Sequence, residues 1–209
     1  MPLHKIIHIN ENTTAYFWHI TEDVTSLFRA VSLRDTSLFR LEGMKSEEHQ
    51  KGFLAVRMLL QHLGYTDYDL TYDEAGKPHL SDGKHISISH SHEFSCICIS
   101  DELMGIDLEK LKEKTLKIAP RFMEVKHLEN LSTLEQIEKS TVIWGVKESI
   151  FKIKNEKGIS FPEHIFENEF CFSDGKCSAE LHFNNQIEKF NIQFYKVEDY
   201  IFVCAFPNK

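Results

Sequence analysis

Long apolar runs are missing from this chain. Nothing in it approaches the ~20 consecutive apolar residues that a membrane-spanning helix requires, so no membrane partner is expected. Residues 1–10, MPLHKIIHIN, lack the apolar core of a secretory leader, and a cytoplasmic protein is expected. Positive charge is in deficit: 24 Lys and Arg face 32 Asp and Glu, a net charge of −8. That balance favours solubility and disfavours non-specific nucleic-acid binding. No Cys-x-x-Cys pair occurs among Cys96, Cys98, Cys171, Cys177 and Cys204, which argues against a zinc ribbon or a thioredoxin-type site. Glycine (9) and proline (5) are too few for a collagen-like fibre, and no low-complexity segment or short repeat interrupts the chain. What is present is ordinary globular composition, 42% hydrophobic with sixteen phenylalanines over 209 residues, enough for a sizeable core in one or two domains.

Isoleucines 6, 7 and 9 suggest a first strand. Residues 46–64 read as a helix, with Ser46 as its cap and Phe53, Val56, Leu59, Leu60 and Leu63 as its apolar stripe. Residues 73–78, DEAGKP, form a Gly- and Pro-punctuated loop. Residues 85–90 and 94–100 both alternate, and the three residues between them suit a hairpin. In its second arm Cys96 and Cys98 fall on one face and read as buried thiols. A short strand follows over 104–109, then a helical tract over 111–157 that Pro120 must begin or interrupt. Ser132 and Glu135 have capping-box spacing for the last and longest helix, and Gly158 is its expected stop. Residues 165–206 read as strands, Phe170 and Phe172 among them. The order predicts an α/β (α+β) protein of two halves, 1–101 and 102–209.

Three constellations carry chemistry. Asp107 and Glu109 lie two apart in an apolar strand, so both carboxylates share one face, about 7 Å apart at Cα. Such a pair is either a solvated edge strand or a cation site, and magnesium with substrate phosphates suits two carboxylates. Trp144, Glu148 and Lys152 are spaced by four on the last helix. They are either an exposed ion pair of ~0.2–0.5 kcal/mol or a partly buried site with a third carboxylate and a phosphate-binding lysine. Ser89 and His90 at a strand end, and Lys77 on its turn, are phosphate-type donors. Zinc on His85, His90 and His92 is discounted, since no cysteine or carboxylate at the usual spacing completes a tetrahedron.

Taken in order, Gly76-Lys77-Pro78, Ile88-Ser89-His90-Ser91, Gly105-Ile106-Asp107-Leu108-Glu109 and Trp144-x-x-Lys147-Glu148-Ser149-x-x-Lys152 resemble the 4′-phosphopantetheinyl transferases. The spacing is similar to the surfactin-type branch, where one chain forms a pseudo-dimer of two α/β halves with the active site in the cleft between them. The resemblance covers roughly residues 46–160. It implies a monomer that transfers 4′-phosphopantetheine from coenzyme A to a serine hydroxyl of an apo acyl or peptidyl carrier protein, releasing 3′,5′-ADP. Asp107, Glu109 and Glu148 would hold Mg2+. Lys77, Ser89 and His90 would meet the nucleotide phosphates and Lys152 the pyrophosphate. Lys51 and Arg57, on the helix before the Gly-Lys-Pro turn, would reach the 3′-phosphate. Where the branch carries a glutamate proposed as general base, shortly after an Arg-Phe pair, this chain has His127. A histidine near its free pKa of about 6.5 is a competent base; Glu124 and a metal-bound water are the alternatives. Two other functions stay open: a coenzyme A-binding homologue without catalysis, and a magnesium-dependent nucleotide hydrolase.

Overall fold

The computed structural model describes residues 3–208. They divide into two compact units, Met1–Glu102 and Leu103–Lys209. Each is a helix-covered antiparallel sheet, so the fold is α+β.

In the first unit β1 (Leu3–Asn10) and β2 (Thr13–His19) form a hairpin, and β5 (His85–Ser91) and β6 (Phe94–Ser100) form another. The sheet order is β1-β2-β6-β5. Cys96 and Cys98 are fully buried on β6, neither in a disulfide, as their alternation predicts. Helix α3 (Glu47–His62) packs its expected stripe on this sheet, with Phe53, Val56, Leu59 and Leu60 all buried. The Ser46 hydroxyl caps it by accepting from the His49 N–H. Two short helices precede it, α1 (Val24–Ala30) and α2 (Asp35–Glu42), and a two-stranded ribbon follows, β3 (Leu70–Tyr72) with β4 (Pro78–Leu80). The ribbon brackets the Gly-Lys-Pro turn.

The second unit is a five-stranded sheet ordered β7-β11-β10-β9-β8. Its strands are β7 (Gly105–Lys110), β8 (Ile165–Glu167), β9 (Lys176–Phe183), β10 (Gln186–Val197) and β11 (Tyr200–Pro207). Helix α4 (Lys114–Ile118) is followed by 3-10 turns at Ala119–Arg121, which holds Pro120, and Val125–Leu128. Helix α5 (Thr133–Lys154) then lies on the sheet, opened by the complete Ser132–Glu135 capping box. Helix α6 (Phe161–His164) is one turn.

Two expectations are corrected here. Helix α5 ends before Gly158, because Asn155 adopts the left-handed conformation (φ 50°) that closes a helix. Phe170 and Phe172 are not strand residues: Phe170 fills the core from a loop, and Phe172 opens a 3-10 turn that reverses the chain. Among the described residues no helix is long and apolar enough to cross a membrane.

Candidate active site

Strand β7 ends its sheet's order beside β11, and Asp107 on it is only 4% exposed. Helix α5 covers it, and two glycines set how closely. A Cβ on Gly105 would stand 2.1 Å from the Ser149 carbonyl oxygen of α5, and one on Gly145 would stand 2.5 Å from Val203 Cγ2 of β11. With hydrogen in both places, strand backbone meets helix backbone at Gly105, and the Val203 side chain packs straight onto the helix backbone at Gly145. The Ser149 hydroxyl donates to the Val203 carbonyl at 3.4 Å across the seam.

That approach brings the Glu148 and Lys152 turn of α5 down on Asp107. The Lys152 ammonium donates to Asp107 Oδ1 at 2.9 Å and to the Ile106 carbonyl at 2.8 Å. Burial, and next the Asp107 charge, push the Glu148 carboxyl above its usual range, while Lys152 pulls the other way. Trp144, one turn earlier on the stripe, stacks edge-on against Phe122 at 5.1 Å and Phe161 at 5.6 Å. The pair is therefore part of a half-buried charged site, rather than a solvated surface pair. Two repelling carboxylates, with one ammonium on Asp107, suit a hard divalent cation, since both carboxylates offer oxygen. Glu109 follows Asp107 by two along β7, on the same face by strand periodicity. Among the described residues, no three His, Cys, Asp or Glu side chains are gathered closely enough to hold a metal ion as the chain stands.

His127 lies on the Val125–Leu128 turn with its side chain 26% exposed. Its Nδ1 is 3.4 Å from Glu167 Oε1, and Glu167 Oε2 is 2.8 Å from the Lys147 ammonium. Glu124 is exposed and paired with Lys126, which holds its carboxyl below the usual range.

The phosphate-type donors belong to the first unit. Gly76 (φ 84°) makes the turn before Lys77, whose N–H donates to Asp73 Oδ1 at 2.9 Å. Ser89 is buried on β5 and His90 exposed beside it, its ring lying over Gly52 of α3. Lys51 is half-buried and pairs with Glu47 at 3.0 Å, one helical turn back.

The amino-acid sequence is 31% identical over 147 residues to 4′-phosphopantetheinyl transferase Sfp of Bacillus subtilis (strain 168), covering 66% of this chain and 65% of that one. It is 32% identical over 121 residues to 4′-phosphopantetheinyl transferase gsp of Aneurinibacillus migulanus, covering 55% and 51%. The chain is a homologue of the 4′-phosphopantetheinyl transferases. The matched stretch spans just under two thirds of the first relative's length and about half of the second's. No family model matches.

Within that relationship one expected contact changes. The Arg57 guanidinium is 2% exposed, its Nε donates to Asp67 at 3.0 Å, and it lies 3.6 Å from the centre of the Phe53 ring. Helical phase places residue 57 on the same face as Phe53, inside the core. A buried guanidinium already matched to a buried carboxylate holds that core, so Arg57 is set aside as a 3′-phosphate contact. Sequence reasoning missed Glu167 as the partner of both His127 and Lys147, because it lies forty residues from His127 on β8. The only local signal was an acidic residue in the otherwise apolar run that forms β8.

Proposed function

We propose that this chain moves 4′-phosphopantetheine from coenzyme A to a serine hydroxyl of an apo acyl or peptidyl carrier protein and releases 3′,5′-ADP. The observation that carries the reading is the Asp107–Glu148–Lys152 cluster: a buried carboxylate on β7 whose charge is felt by Glu148 of α5, with the Lys152 ammonium on it at 2.9 Å. Burying such a set costs free energy that a fold has no reason to spend unless a polyanion and its cation come there. Asp107, Glu109 and Glu148 would hold Mg2+, which when bound draws charge from the pyrophosphate oxygens.

The chain's own residues do the rest. Lys152, tethered to Asp107, offers its positive charge to the pyrophosphate. Lys77, Ser89, His90 and Lys51 are the contacts for the nucleotide phosphates. The carrier serine oxygen attacks the β-phosphorus, the bond from that phosphorus to the bridging oxygen breaks, and the electron pair leaves on 3′,5′-ADP. His127 takes the serine proton. Phosphoryl transfer of this kind depends mainly on positioning and charge neutralisation. The reading takes the chain as a cytoplasmic monomer.

Incubation with coenzyme A, Mg2+ and an apo carrier protein tests it by mass spectrometry of the carrier. A gain of one phosphopantetheine with one 3′,5′-ADP released is the expected result. 3′,5′-ADP formed without carrier indicates a hydrolase, and binding of coenzyme A with no product indicates a non-catalytic homologue; either overturns the proposal.

A further inference from the structure

The Lys147–Glu167–His127 cluster lies outside the carboxylate site and has a graded exposure. The Lys147 and Glu167 side chains are 3% and 4% exposed, while the imidazole is 26% exposed. Lys147 also donates to the main-chain carbonyls of Ile165, at 2.5 Å, and Phe161, at 3.5 Å. Its ammonium is thus fixed between α5, α6 and β8, and it clamps one oxygen of Glu167. A buried ion pair would be complete at that point. The second carboxylate oxygen instead stands 3.4 Å from the Nδ1 of a partly exposed histidine, an opposite-charge approach that a small turn of the ring converts into a hydrogen bond.

We propose that Glu167 is the positioning residue for His127, fixing the neutral ring as its Nδ1–H tautomer so that Nε2 keeps the lone pair that accepts the serine proton. This rests on the reading of His127 as the base. A neutral imidazole carries one proton, and the hydrogen bond made by one nitrogen decides where it sits. A carboxylate that can only accept draws that proton to Nδ1. As the serine oxygen bonds to the β-phosphorus and the bond to 3′,5′-ADP breaks, the serine proton passes to Nε2. The resulting imidazolium is then held by the Glu167 charge.

The other charged and titratable neighbours do not compete for Glu167. Glu124 and Lys126, on the same turn as His127, pair with each other at the surface. Cys177 on β9 keeps its proton, because burial and then the Glu167 charge push its pKa to about 12. Lys147 lies next to Glu148 in α5, so the same helix anchors the carboxylate site and, through Glu167, the base.

Two measurements on the intact protein test the proposal. Nitrogen-15 NMR of the unaltered chain, with the His127 signal assigned by its loss in His127→Ala, should show the neutral Nδ1–H tautomer; an Nε2–H tautomer overturns the proposal. This result needs no variant of Glu167, whose replacement leaves Lys147 buried without its counter-charge. Kinetics supply the second arm. Glu167→Gln should lower kcat by about 10- to 100-fold with the coenzyme A KM nearly unchanged. In a His127→Ala background the same change should cost nothing further. If Glu167→Gln slows His127→Ala by the same factor as it slows the unaltered chain, Glu167 acts on the fold alone and the proposal fails. If His127→Ala is impaired but Glu167→Gln behaves as the unaltered chain, only the positioning role fails. A normal rate and pH profile in His127→Ala overturns the base assignment, and this proposal with it.

Discussion

Replacing Gly145 with alanine is the most direct test of how the site is built. In an ordinary helix interior the change stabilises by about 0.5–1 kcal/mol, since alanine loses less backbone freedom than glycine. Here the new methyl would stand 2.5 Å from Val203 Cγ2, about 1 Å inside the 3.4 Å at which ordinary contact begins. Overpacking of that kind costs about 1–3 kcal/mol, so the net expectation is a loss on the order of 1 kcal/mol. Val203 is wholly buried, so Val203→Ala alone should also destabilise, by opening a cavity. In the double variant the methyl added at position 145 enters that cavity, so the two losses should not add. The coupling should be about 1 kcal/mol, within the usual range for touching residues. Urea unfolding of the four proteins, read at constant slope, measures it. Activity adds a second readout. Helix α5 carries Glu148 and Lys152, and a small outward shift lengthens the 2.9 Å contact between Lys152 and Asp107. Turnover of Gly145→Ala should therefore fall by up to ~10²-fold at temperatures where the protein is fully folded, and recover in part with Val203→Ala. Gly105→Ala should be worse and beyond such rescue, because its methyl would meet the Ser149 backbone carbonyl at 2.1 Å, where no side chain can be trimmed. A Gly145→Ala protein as stable as its parent, or losses that simply add, would refute this account of the helix–sheet seam.

Asp107→Ala, Glu109→Ala and Glu148→Ala should each cripple turnover while leaving the thermal midpoint nearly unchanged, with Asp107 the most severe; near-normal rates for Asp107→Ala at low Mg2+ would remove the cation assignment. Coenzyme A should bind about 10- to 100-fold more tightly than dephospho-coenzyme A, as a charge-assisted contact of ~1.5–3 kcal/mol implies, and calorimetry on Lys77→Ala and His90→Ala should show that gap narrowed. Lys112, Lys114 and Lys117 are exposed on and before α4; reversing all three to Glu should raise the carrier KM several-fold, more at low salt, with coenzyme A affinity unchanged.

The local parts of this protein are legible from sequence because local physics decides them. Ser132 and Glu135 specify a helix start within four residues, and the structure shows both arms of that cap. The alternation of residues 85–100 specifies a hairpin, and its register follows. Other elements carry no comparable signal. Residues 13–19 pack threonines and aromatics without strict alternation, yet form the central strand β2, because both β1 and β6 pair with it. Helices α1 and α2 bury only Leu27 and Leu41 among their large apolar residues, too few for a stripe of helical period.

The candidate site divides along the same line. Spacing by four placed Glu148 and Lys152 on one stripe, and spacing by two placed Asp107 and Glu109 on one face, each within a single element. What spacing could not give is which stripe meets which face. That is set by Gly105 and Gly145, residues whose contribution is the absence of a side chain, and it is visible only once β7 and β11 stand under α5. Arg57 shows the converse. Its position before the Gly-Lys-Pro turn suits a phosphate contact, but its helical phase sends it inward to Asp67. A charge that is matched and buried holds the fold together; the charges left half-exposed, at Glu148 and Lys152 and at the His127 ring, are those a substrate can still reach.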